Sequence, residues 1–152
     1  MLPDRDYLAL IGELAYRVSY LEWLVIGDLA NALPCPPGID APALMGKSTG
    51  QIAGAVAGAA TGWDDEPELK QFGSLAAEAL SDVSQRRNHV LHARPATTGA
   101  GEQMLLRDRW QSNGQRDSFL ITPEYLREQI AAVEEWTGRL SAIRLLRTDP
   151  PG

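Results

Sequence analysis

The longest uninterrupted pattern in the sequence is an amphipathic run from Asp4 to Leu33, stopped by Pro34, Pro36, Pro37 and Gly38. Within it Tyr7, Ile11, Leu14, Val18, Leu21 and Val25 recur at spacings of four and three, the repeat of one helix face. Leu10, Arg17 and Leu24, with Trp23, form a second flank. A helix this long with two apolar faces packs inside a bundle or against a partner chain. The proline-rich stretch after it, to about Leu44, reads as a linker.

Three more helices follow from local signals. Ser48 or Thr49 can cap a helix over 49–61, whose Gly54 and Gly58 are spaced for close helix approach. Asp64, Asp65, Glu66 and Pro67 open another, over 67–93, with Pro95 ending it. Thr122 caps the last, over 123–146, with Leu126, Ile130, Val133, Leu140 and Ile143 on one side. Between these, residues 103–121 change period around Ser112-Asn113-Gly114-Gln115, and Asn-Gly is a strong hairpin signal. A two-residue Asn113-Gly114 loop would set Trp110 opposite Asp117 and Leu106 opposite Ile121. One face would then carry Met104, Leu106, Trp110, Phe119 and Ile121. Pro150-Pro151-Gly152 is read as a tail. The expected architecture is a single mainly α domain, 1–152: an antiparallel four-helix bundle with a β-hairpin inserted before the last helix.

Composition narrows the chemistry. At 152 residues one domain can bury a full core, roughly 70% of the unfolded surface, without staples. A single cysteine, Cys35, excludes an internal disulfide and suits a reducing cytoplasm. No targeting signal or membrane-length apolar run is visible, so the expected location is cytoplasmic. The net charge of −6 argues against broad duplex DNA binding. That charge is uneven: residues 86–116 hold six arginines against two acids, while residues 1–85 hold four basic and twelve acidic side chains. Both histidines, His89 and His92, lie in the basic segment, and arginine suits bidentate phosphate contact.

Three groups of residues could carry chemistry. Gly46-Lys47-Ser48 ends like a phosphate-binding loop, but Ala41 stands where that motif needs glycine, and no strand precedes it. His89 and His92, with Glu78, Asp82, Glu13 and Glu22 on the helices, lack the Glu-x-x-His spacing of bundle metal sites, so neither a metal nor any other cofactor is expected. The third group is Arg86-Arg87-Asn88-His89-Val90-Leu91-His92. At about 100° per residue, Leu69, Phe72, Ala76, Leu80, Val83, Val90 and Leu91 form one apolar arc. Arg87 falls inside that arc, where its guanidinium needs a partner or a wet cleft. His89 falls on the side away from it, which reads as exposed. Arg87 and His92 are about 140° apart, so they converge only if Arg87 reaches round or a second subunit joins the faces.

Arg87-Asn88-His89-Val90-Leu91-His92 resembles the Arg-Asn-x-x-x-His form of the R-x4-6-H motif of the HEPN superfamily, the higher eukaryote and prokaryote nucleotide-binding domains. Gly46-Lys47-Ser48-Thr49-Gly50-Gln51-Ile52 is similar to a phrase that opens the second helix in many bacterial members. The resemblance implies a helical bundle acting as a homodimer and as a metal-independent endoribonuclease on single-stranded RNA. The setting it implies is a toxin or defence component, with an antitoxin protein as a partner it admits. It makes Arg87, Asn88 and His92 catalytic: His92 the general acid or base, Arg87 the phosphate clamp, Asn88 the orienting group. Arg86, His89 and Arg94 are weaker phosphate or RNA contacts. Arg94 also stands where nucleotidyltransferase-controlled toxins often carry a modifiable tyrosine, which argues against that mode of neutralisation here. The alternative is a non-catalytic helical dimer that binds a nucleotide or protein partner, with Arg87 and His92 turned inward into a buried hydrogen-bond network.

Overall fold

A computed structural model describes residues 2–145. The chain is mainly helical with a small three-stranded antiparallel sheet. In order the elements are α1 (Arg5–Asn31), α2 (Ala41–Met45), α3 (Thr49–Ala60), α4 (Pro67–Leu91), β1 (Arg94–Thr97), β2 (Gln103–Trp110), β3 (Arg116–Ile121) and α5 (Pro123–Ser141). Among the described residues, no helix is long and apolar enough to cross a membrane.

The long helices start and stop where local chemistry directs. Ser48 and Gln51 form a reciprocal capping box at α3, and Thr122 accepts from the Tyr125 amide at α5. Pro67 and Pro123 occupy first-turn positions whose amides have no helical partner in any case. Leu14, Val18, Leu21 and Val25 of α1 meet Phe72, Ala76, Leu80 and Val83 of α4, Ile52 and Val56 of α3, and Leu126, Val133 and Leu140 of α5 in one core. The expected second flank of α1 divides: Leu24 is buried, but Trp23 is 52% exposed.

The relative direction of the helices follows from cross-helix contacts. Ser84 lies against Gly50, and Gly73 against Ala60 and Trp63, so α3 and α4 are antiparallel. Asp82 meets Trp136 and Arg86 meets Gln129, so α4 and α5 are antiparallel too. Tyr7 meets Ile121, Arg17 meets Glu134 and Asp28 meets Arg144, so α1 and α5 run the same way. The uniformly antiparallel arrangement expected from sequence is therefore not what forms. The return after α1, which includes the short α2, brings the chain back to Glu22, beside Thr49 at the start of α3.

Several expectations need correction. Residues 41–45, read as linker, form the short α2, capped by Asp40. Helix α4 ends at Leu91 rather than 93, and Arg94–Thr97 becomes a third strand. Pro95 disfavours helix for the residue before it and can sit on this edge strand without breaking a ladder. The hairpin loop has three residues, not two. Gly114 takes the left-handed conformation, which among the described residues no non-glycine residue does, and the Gln111 amide donates to the Gln115 carbonyl. Asn113 instead accepts from the Gln115 amide through its side chain. The longer loop shifts the register by one: Leu105 pairs with Ile121, Leu106 with Leu120 and Trp110 with Arg116. A one-residue slip exchanges faces on one strand. Leu105, Phe119 and Ile121 thus face the helices, while Trp110 lies outside, 73% exposed. Gly54 and Gly58 face open space; the close approach is at Gly73, where a Cβ would stand 2.4 Å from the Trp63 ring. The last helix stops at Ser141, and the expected end at Leu146 and the tail lie outside the described residues.

Tyr7 fixes the sheet to α1. Its hydroxyl donates to the Ile121 carbonyl at 2.7 Å and accepts from the Leu105 amide at 2.9 Å. Burial pushes this phenol above its ordinary pKa, so it stays a neutral donor.

Candidate functional site

The last two turns of α4 present consecutive polar residues to three different neighbours. Arg87 turns toward α1 and α3. Its Nη1 donates to the Thr49 hydroxyl at 2.9 Å and lies 3.9 Å from Glu22 Oε1. Thr49 is fully buried and donates in turn to Glu22. A weaker bond, 3.4 Å, runs from Arg87 Nη2 to the side chain of Asn88. The Arg87 Nε is buried without a partner among the described residues. Placing an arginine in the apolar arc therefore works because α1 and α3 supply an acceptor and a carboxylate.

Arg86 turns the other way, toward α5. It donates to Asp82 at 2.7 Å and to Gln129 at 2.8 Å, while Trp136 Nε1 donates to the same Asp82 oxygen at 2.7 Å. Burial raises the Asp82 pKa, but the bonds from Arg86 and Trp136 and the arginine charge outweigh it, leaving the carboxyl below its ordinary value. Arg86 thus ties α4 to α5.

His89 is half-buried, not solvent-facing as the helix geometry alone suggests, because the sheet covers that side. Its Nδ1 lies 3.3 Å from the Tyr125 hydroxyl, and its ring meets Phe119 edge-on. Burial, then the charges of Arg107, Arg109 and Arg86, lower its pKa. His89 is accordingly neutral at pH 7.

His92 caps α4 and is exposed. Its amide bonds the Asn88 carbonyl, and its own carbonyl accepts from Arg107 Nη1 at 3.1 Å. Among the described residues its imidazole makes no hydrogen bond. Arg87 and His92 therefore share a helix end but leave it on different sides, as their angular separation implies. Arg94 lies on the outer face of the sheet, where Asp108 accepts from Arg94, pairs with Arg116 and accepts from Ser118. The bonds from Ser118 and the two arginines hold this carboxyl far below its usual range.

Arg107, Arg109, Tyr125 and Phe119 were not singled out from sequence as site residues, yet they surround His89. The arginine surplus of residues 86–116 is the signal that contained the two arginines. Gly46, Lys47 and Ser48 act as a turn and cap: the Lys47 amide closes on Leu44, and Ser48 opens α3. Among the described residues, no group of three or more histidine, cysteine, aspartate or glutamate side chains is placed to hold a metal ion. No protein-family model, curated protein or solved structure matches this chain.

Proposed function

We propose that this chain is a HEPN-like, metal-independent endoribonuclease that acts as a cytoplasmic homodimer on single-stranded RNA. In this reading α1, α3, α4 and α5 are the four-helix bundle of that family. The observation that supports it best is the contrast at the end of α4: Arg87 is anchored by Thr49 and Glu22, while the His92 imidazole is exposed and unbonded among the described residues. Histidine is the side chain whose chemistry suits proton exchange at neutral pH.

The reaction balances with two copies of the motif. The RNA 2′-oxygen bonds to the adjacent phosphorus as its proton passes to one His92. The bond from phosphorus to the 5′-oxygen breaks, and the His92 of the second copy, protonated, supplies the leaving oxygen's proton. Arg87 stabilises the charge that builds on the phosphoryl oxygens, and Asn88 orients the neighbouring groups. The products carry 2′,3′-cyclic phosphate and 5′-hydroxyl ends. A toxin or defence component, held in check by an antitoxin protein, is the setting such an activity fits.

The test is incubation of the purified protein with single-stranded RNA in EDTA, with product ends analysed. Cleavage persists in the chelator, and Arg87→Ala and His92→Ala each lower it by about 100-fold or more while the dimer elutes unchanged. Intact RNA under all conditions sinks this reading. One observation favours the second reading, a non-catalytic dimer binding a nucleotide or protein: Arg87 Nη1 is already engaged by Thr49 and Glu22. Under that reading Arg87→Ala lowers the melting temperature and RNA is left uncut.

A further inference from the structure

We infer that the inner face of the sheet, at Arg107 and Arg109 beside His89, binds a phosphate of single-stranded RNA next to the one presented to His92. The assignment rests on reading the chain as an RNA-handling protein, but not on cleavage.

Arg107 carries the argument. It is half-buried, and among the described residues no carboxylate pairs with it. Its Nε is buried and has no acceptor, which is costly unless something else supplies one. Its Nη1 is held by the His92 carbonyl, so the guanidinium is oriented and lies against the residue whose side chain would act on RNA.

The surroundings match a phosphodiester. Arg109 lies over the Phe119 ring, 5.7 Å from its centroid, and is steadied by Asp117 at 3.0 Å. Arg86 approaches from α4, already fixed by Asp82 and Gln129. His89 and the Tyr125 hydroxyl offer neutral polar atoms at the same place. Burial first, and then the charges of Arg107, Arg109 and Arg86, lower the pKa of His89. Arginines interleaved with Phe119, Tyr125 and His89 are the composition of single-strand sites, where backbone charge and aromatic faces act together. The outer face of the same sheet differs: there Asp108 already neutralises Arg94 and Arg116.

The experiment measures binding of a fluorescein-labelled uridine oligomer of about twelve nucleotides, in EDTA, by His92→Ala protein, which cannot consume the probe. Adding Arg107→Gln weakens binding about tenfold and makes the log–log salt dependence shallower by about 0.7, the loss of one phosphate contact. Arg107→Lys recovers most of the affinity, and Arg17→Gln, at an arginine paired with Glu13 and Glu134, binds like the parent. Bound but uncut RNA, with binding that depends on Arg107, supports this assignment even if the cleavage reading fails. Three outcomes overturn it: no binding at low salt, unchanged affinity in Arg107→Gln, or a fall in melting temperature with an unchanged salt slope.

Discussion

The helical body and the sheet settle their charges in opposite ways. In the body two carboxylates answer arginines distant in the chain: Glu22 meets Arg87, and Asp28 meets Arg144. These carboxylates are largely or wholly buried, with Glu22 at 18% side-chain exposure and Asp28 at zero. In the sheet Arg94 and Arg116 lie at the surface, and half-buried Asp108 serves these two arginines and a serine at once. Buried pairs fix where elements sit, because neither partner can be left alone in a low-dielectric place. Exposed pairs are screened and contribute little to stability.

The contrast can be broken at its strongest point first. Asp28 takes bonds from Arg144 Nε and from the Leu145 amide, which clasp the segment after α5 to α1. Arg144→Ala leaves a buried carboxylate with only that amide, and calorimetry should show a loss of about 3 kcal/mol. If the protein melts unchanged, the body does not depend on its buried pairs. Next comes Glu22→Gln, which keeps an acceptor for Thr49 but removes the charge facing Arg87. Chemical denaturation should record a loss of about 1–2 kcal/mol, less than for Arg144→Ala because Arg87 keeps Thr49 and partial access to water. The smallest effect belongs to Asp108→Asn, whose melting curve at pH 7 should overlay that of the parent. The sign at acid pH is fixed by its depressed carboxyl. Whatever Asp108 contributes is present above the unfolded value of about 3.9 and fades as pH falls below it. A melting difference that grew toward acid would contradict this.

Periodicity made the helices legible, because apolar side chains at three- and four-residue spacings have one way to be buried. Leu14, Val18, Leu21 and Val25 lie where that spacing puts them. It could not reveal which polar side chains a neighbour would cover. His89 sits opposite the apolar arc of its own helix, and Phe119 of the sheet with Tyr125 of α5 explains its burial. The hairpin was visible, but Asn-Gly serves both two- and three-residue loops, and one residue decides which face Trp110 takes. The edge strand β1 is four residues long and contains Pro95, too short and too broken to register as a pattern. At the candidate site, Arg87 and His92 stand out by residue type and spacing. Their partners Glu22, Thr49 and Arg107 come from elements far away in sequence, which spacing along one helix cannot reach.

The Tyr7 hydroxyl joins α1 to strand residues 98 and 114 positions further along the chain. Contacts of such separation are closed late in folding, since the intervening loop entropy is lost before the contact is gained. During synthesis the first turn of α1 therefore waits, with its tyrosine still hydrated, while more than a hundred later residues leave the ribosome. The region holding Arg107 reaches its final position only when that wait ends.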